Sequence, residues 1–282
     1  MLSVIPLLFC TLLLLLGLFH SDAMKLVVAT RLHLGKAEAP PTDLEAKIQN
    51  FTHFCEESCQ AQVGLLIVES TPRIEGYDLV AAVQKACDTH AAPDANCRFH
   101  VLPVTPYYKF ATPLNVAVGY AVGECQADRI LFVSAETNAP RAAIQQLLQA
   151  VSPQDCLLAG AALPGHDYEP GQHALGGRTC PWNTLSVWKA RTLALTGFQL
   201  VSDGHLTEEP SYGIEEVVAA ALLQKLHPPS TVKLIQLEGV EWNQDFSDPE
   251  RKKWHEEKMQ SKTIRARRQM ELMGLSGVVE HC

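Results

Sequence analysis

From residue 25 onward, short and wholly apolar runs alternate with amphipathic stretches. KLVVAT at 25–30, VGLLIVES at 63–70, CRFHVLPV at 97–104, RILFVSAE at 129–136 and CLLAGAAL at 156–163 predict strands. Between them, Thr42 to Gln62 predicts a helix, with Thr42 as its N-cap and Leu44, Ile48, Phe51, Phe54 and Cys55 at helical spacing. YDLVAAVQKACDTH at 77–90, Pro113 to Glu124, and Pro140 to about Val151 predict three more. Trp182 to Thr196 reads as a helix closed by Gly197, and Gly213 to Leu226 as another, ended by Pro228-Pro229. TVKLIQL at 231–237 is a late strand, followed by a charged helix over 247–273 that reads as a solvated surface element.

Strands that are apolar throughout and separated by helices predict an α/β fold: a single, mostly parallel sheet flanked by helices, with a C-terminal helical tail. The expected division is an N-terminal segment at 1–23, one α/β domain at 24–240 and the tail at 241–282. Ligands of such sheets sit beyond the carboxyl ends of the strands. The positions to watch are therefore Thr30-Arg31, Glu69-Ser70 and Ser134-Ala135-Glu136.

A net charge of −8 gives no electrostatic case for nucleic-acid binding. The apolar run VIPLLFCTLLLLLGLF at 4–19 is short for a membrane span and suits a signal-peptide core, with Ser21-Asp22-Ala23 at a possible cleavage site. An uncleaved anchor, giving membrane association, and an extension upstream of Met24 are the alternatives. With Cys10 in that run, the other eight of the nine cysteines form an even set, which permits disulfides but equally suits buried thiols. The sequon Asn50-Phe51-Thr52 agrees with a secretory route, to the lumen or outside the cell.

No GxSxG elbow and no GxGxxG turn is present, which argues against a serine hydrolase of the usual α/β type and a dinucleotide-binding dehydrogenase. What the chain does show, in order, is VVATR, LLIVEST, ATPLNVAVGYAVGECQADRILFVSAET, PWNTLSVWKARTLALTGF and GIEEVVAAALLQ. This succession, over roughly residues 25 to 226, resembles family-two-like glycosyltransferases of the GT-A fold, the nucleotide-diphospho-sugar transferases, with a degenerate Asp-x-Asp.

The resemblance implies roles. Thr30 and Arg31 would meet the nucleotide, Arg31 as a bidentate hydrogen-bond donor to a phosphate. Glu69 would accept from the nucleobase, and Asn115 would be a polar contact where relatives carry a basic or amide pair. Ser134 and Glu136 fall on the Asp-x-Asp, so Glu136 would hold Mn2+ or Mg2+ in a weakened site. Trp182 and Asn183 would border the acceptor. Glu215 or Glu216 would be the base that deprotonates it. The implied activity is transfer of a sugar, from a nucleotide-sugar that is expected to be a UDP-sugar, to a hydroxyl on a glycan, protein or lipid. A catalytically inactive binding protein with the same fold is the alternative.

Each residue also has a plainer reading: Glu69 as a solvated strand end, Asn115 as a helix-surface amide, Trp182 as core, and Glu215-Glu216 as acids favoured in a helix's first turn. At Glu136, weakened metal binding, metal-free binding and no nucleotide chemistry all remain open. His166, Asp167, Glu169 and His173 fit no zinc spacing and read as part of a flexible acceptor loop.

Overall fold

The computed structural model describes residues 24–35, 37–92, 96–152, 155–203, 214–243 and 249–282; the signal-like segment expected at 1–23 lies outside them. Within helix 249–272 and its approach, nothing is described of several side chains.

Eleven strands are described: β1 (Leu26–Leu32), β2 (Val63–Glu69), β3 (Arg98–Val104), β4 (Arg129–Val133), β5 (Thr137–Asn138), β6 (Cys156–Ala161), β7 (Gly171–Ala174), β8 (Leu185–Lys189), β9 (Thr231–Ile235), β10 (Glu241–Trp242) and β11 (Val278–His281). The helices are α1 (Leu44–His53, continued by a π turn over Phe54–Cys59), α2 (Leu79–His90), α3 (Ala111–Gly123), α4 (Arg141–Ala150), α5 (Ala190–Ala194), α6 (Glu215–Leu226) and α7 (Pro249–Leu272). Nine strands form one sheet in the order β3-β2-β1-β4-β8-β6-β9-β11-β7. β3, β2, β1 and β4 run parallel; β8 is antiparallel to β4 and β6; β6, β9 and β11 are parallel, and β7 runs against β11.

Because successive side chains leave opposite faces of a strand, each apolar run feeds two cores. Val27, Ala29, Leu65, Ile67, Ile130 and Phe132 face one side, where Leu114 and Ala117 of α3, Leu193, Val217 and Met270 cover them. Val28, Leu66, Val68, Leu131 and Val133 face the other, under Ile48 and Phe51 of α1, Val83 of α2 and Leu147 of α4. A strand buried on both faces needs no polar alternation, which is why these runs read so plainly.

Helix ends refine the expectations. The N-cap of α1 is Asp43 rather than Thr42, and it makes no side-chain capping bond; its carboxylate instead pairs with Lys47 at 3.0 Å. α2 is capped as its sequence suggests, with Asp78 accepting from the N–H of Ala81. α3 has no local cap. Its first amides, Phe110 and Ala111, donate to the buried carboxylate of Asp203 at 3.1 and 3.0 Å, an acid 92 residues further along the chain.

Three expectations are corrected. Residues 185–189, expected to be helical, are β8, and only Ala190–Ala194 is helix. Leu185, Ser186, Val187 and Trp188 are all fully buried between β4 and β6, so sheet pairing overrides a pattern that suited a helix. α7 is not simply a solvated surface element: Lys262, Ala266, Gln269 and Met270 are buried against the domain. Its chain then returns as β11, beside β9. The His166–His173 segment carries β7 and is tied down: His173 and Tyr168 both stack on His281.

The eight described cysteines are free thiols, six of them buried. Among the described residues no helix is long and apolar enough to cross a membrane.

Candidate functional site

The carboxyl ends of β1 and β4 open into a cleft of about 330 Å³, within the range of small-molecule sites. Thr30 and Arg31 enter from β1, Ser134 and Glu136 from the exit of β4, Asn183 and Thr184 from the lead into β8, and Glu215 and Glu216 from the first turn of α6. Lys47 of α1, Lys262 of α7 and Trp242 of β10 complete its wall. Two-residue strands β5 and β10 pair beside it, and the amide of Asn243 donates to the carbonyl of Glu136 at 3.1 Å.

Seven of the ten residues singled out in the sequence therefore meet in one place: Thr30, Arg31, Ser134, Glu136, Asn183, Glu215 and Glu216. Three do not face it. Glu69 is buried, with one carboxylate oxygen accepting from Arg73 at 2.6 Å and the other from the Leu34 amide at 3.2 Å. It fixes the turn after β1 rather than presenting a free acceptor. Asn115 clasps the loop after Gly197: its Nδ2 donates to the Phe198 carbonyl at 2.8 Å, and its Oδ1 accepts from the Phe198 amide at 2.7 Å. Gly197 takes φ +60° there, and a Cβ would stand 2.7 Å from Asn115 Oδ1. Trp182 is core: its indole N–H donates to the Gly177 carbonyl at 2.8 Å, and its ring is sandwiched between His166, stacked at 3.7 Å, and the Lys262 ammonium at 3.4 Å. His166 receives the Leu163 amide on Nδ1 and donates from Nε2 to the Cys180 carbonyl. Burial, then the Lys262 charge, pushes its pKa down to about 3, so it is a neutral spacer.

Buried polar atoms nearly always find partners, so the exceptions are informative. Thr30 and Asn183 are buried, and among the described residues Thr30 Oγ1 and Asn183 Nδ2 have no hydrogen-bond partner. Both residues line the cleft. The rest of Asn183 is fixed: Oδ1 accepts from Ser186 Oγ and Trp188 Nε1, and its amide donates to Glu216 Oε1 at 2.9 Å. Glu216 is thereby tied to β8. Glu215, 4% exposed, has its carboxyl pushed up to about 7, first by burial and then by the Glu216 charge, with Arg31 opposing. Arg31 lies 5.2 Å over the Phe110 ring and donates to its carbonyl at 3.4 Å, so most of its five N–H donors stay available.

At the β4 exit, Ser134 Oγ donates to Glu136 Oε2 at 3.1 Å. The other oxygen of Glu136 meets the Lys47 ammonium at 3.1 Å. Burial pulls the Lys47 pKa down, but Glu136 and Asp43 outweigh it and hold it above the ordinary lysine value. A divalent cation at this exit would find Glu136 already paired with an ammonium that Asp43 shares, and among the described residues no three His, Cys, Asp or Glu side chains are grouped to hold a metal. Mg2+ and Mn2+ are commonly held by one or two free carboxylates together with phosphate oxygens, and here both oxygens of Glu136 are already engaged, one by the Ser134 hydroxyl and one by the Lys47 ammonium, which fits such an ion poorly. Lys47 and Lys262 were not singled out from sequence. The Asp43–Lys47 spacing of four on a predicted helix was a usable signal for the first; the basic run of α7 masked the second.

No described protein family and no curated protein matches the sequence. Solved structures do. The 4-diphosphocytidyl-2C-methyl-D-erythritol synthase of Anaerococcus prevotii aligns with a TM-score of 0.51 at 9% identity, over 83% of this chain and 97% of that one. Another 4-diphosphocytidyl-2C-methyl-D-erythritol synthase aligns at 0.47 and 14% identity, over 80% and 94%. TarS of S. aureus aligns at 0.42 and 11% identity, over 71% of this chain and 33% of that one. At such identities the likeness is one of fold. The chain has the GT-A-like α/β architecture that its sequence resembles, a mostly parallel sheet flanked by helices.

Proposed function

We propose that the chain binds a nucleotide-sugar, a UDP-sugar in the first instance, in this cleft and transfers the sugar to a hydroxyl acceptor on a glycan, protein or lipid. The observation that carries the reading is a pair of buried polar atoms without a partner among the described residues, Thr30 Oγ1 and Asn183 Nδ2, in two residues that line the same cleft as Arg31 and Glu215. A buried donor without a partner costs about 1–3 kcal/mol, a cost that a polar ligand removes on binding. Arg31 offers phosphate oxygens a planar set of donors.

In the proposed transfer, Glu215 is the base. The acceptor oxygen bonds the anomeric carbon as the bond from that carbon to the diphosphate breaks. The hydroxyl proton passes to the Glu215 carboxylate, and the nucleoside diphosphate leaves with the electron pair. Glu215 suits this better than Glu216, whose Oε1 already accepts from Asn183. A base with a pKa of about 7 is matched to work near neutrality. A second reading, a binding protein that keeps the cleft without chemistry, is favoured by the Lys47–Glu136 pair, which alters the station where relatives hold a metal.

The test is calorimetric binding of UDP and GDP to the full chain and to Thr30→Val. Removing an unpartnered buried hydroxyl leaves stability unchanged or raised, while UDP affinity falls about three- to tenfold, the worth of one hydrogen bond. If no nucleotide binds, the reading fails. If UDP binds and UDP-sugars are never turned over, the second reading replaces the first.

A further inference from the structure

We propose that the cleft holds the diphosphate of its ligand with side-chain cations, Lys47 foremost, in place of a divalent metal ion; the inference rests on the nucleotide-sugar reading above.

Two carboxylates at a strand exit carry −2 and need a dication before a diphosphate can approach. Here the first acidic position is Ser134, whose hydroxyl donates to Glu136 at 3.1 Å instead of adding a second charge. The remaining carboxylate is paired with the Lys47 ammonium at 3.1 Å, which Asp43 shares at 3.0 Å, so the three groups together carry −1 rather than −2. The two departures compensate each other: an acid is absent, and a base stands where its cation would be.

Position supports the same conclusion. Lys47 lies in the first turn of α1, a helix in the core that also holds Val28 of β1 and Leu131 of β4, and its side chain is only 23% exposed. Asp43 Oδ2 at 3.0 Å and Glu136 Oε1 at 3.1 Å take two of its three N–H donors, on a residue that lines the cleft. The third donor is available to an anion. Arg31 and Lys262 line the same cleft, so three cationic side chains converge where the phosphates would lie. Glu136, on this account, is a positioning residue that aims the ammonium.

The experiment is calorimetric titration of the full chain with inorganic pyrophosphate and, separately, with UDP, each in EDTA and in excess manganese. Wild type, Lys47→Ala, Lys47→Arg and Glu136→Gln are compared, with melting temperatures checking that each variant is folded. Wild-type affinity for both ligands is expected to agree within about twofold between EDTA and manganese. Lys47→Ala weakens pyrophosphate about ten- to hundredfold, the worth of a charge-assisted hydrogen bond, and Lys47→Arg retains most of it. Manganese tightening that is lost in Glu136→Gln overturns the inference, as does unchanged binding in a folded Lys47→Ala. If UDP binds only with manganese, the inference falls and the nucleotide reading stands. If pyrophosphate binds in EDTA through Lys47 and no nucleotide does, the reverse holds. If neither ligand binds, both fall.

Discussion

Two glutamates line the same cleft and live in different chemistry. Glu136 at the β4 exit is about one-third exposed, accepts from Ser134 and is held by an ammonium at 3.1 Å. Glu215 at the start of α6 is 4% exposed, and among the described residues no cation pairs with it. The first is a charge already paired, fit to orient a partner. The second is a charge kept expensive, fit to exchange a proton. The residue type is the same, and the neighbours decide the role.

The largest way to break the contrast is to remove the titration of Glu215. Its folded-state carboxyl keeps its proton to about pH 7, whereas the unfolded chain loses it near 4.5. Between those values the folded state binds more protons, so this group's contribution is fully present below about pH 4.5 and is lost as pH rises through 7. Glu215→Gln removes that loss. Its melting temperature is expected to match wild type near pH 4.5 and exceed it at pH 8, a difference of at most about 3 kcal/mol, read by thermal unfolding at both pH values.

A second way acts from outside the pair. Helix α7 brings Lys262 to the cleft by pressing on Gly177, where a Cβ would lie 2.3 Å from the Lys262 carbonyl oxygen. Gly177→Ala forces the helix outward. A loss of about 1–3 kcal/mol in denaturant unfolding is expected, together with weaker UDP binding, because the Lys262 ammonium and the Trp182 sandwich move with it. A smaller change serves as the control. Asn115→Ala frees the Phe198 amide and carbonyl and costs about 1–2 kcal/mol of stability, while UDP affinity stays within about twofold of wild type. A large affinity loss in that variant would return Asn115 to the ligand.

How legible all this was in the sequence varied with how local the cause was. β1, β2 and β4 announce themselves, because burial on both faces requires unbroken apolar runs such as LLIV and ILFV. β8 did not, because its identity comes from pairing with β4 and β6 and not from its own pattern. β7, β10 and β11, of two to four residues, are too short to leave a periodic signal. The cap of α3 by Asp203 and the seating of α7 on Gly177 are long-range contacts that no local spacing could reveal. At the site, the strand-exit rule located Thr30, Arg31, Ser134 and Glu136, and the order of motifs added Asn183, Glu215 and Glu216. The partners that set the chemistry of individual acids, Lys47 on Glu136 in the cleft and Arg73 on Glu69 outside it, are contacts that the fold supplies.

The most direct test of the central claim, a nucleotide-sugar cleft with Glu215 as its base, is the pH profile of UDP-sugar turnover by wild type and Glu215→Gln, with UDP binding measured alongside. The account predicts a slow but measurable wild-type rate that rises with a limb near pH 7 as Glu215 ionises. It predicts a loss of about 10²–10⁴-fold in Glu215→Gln with UDP affinity preserved. Turnover in Glu215→Gln that matches wild type in rate and pH dependence would contradict it.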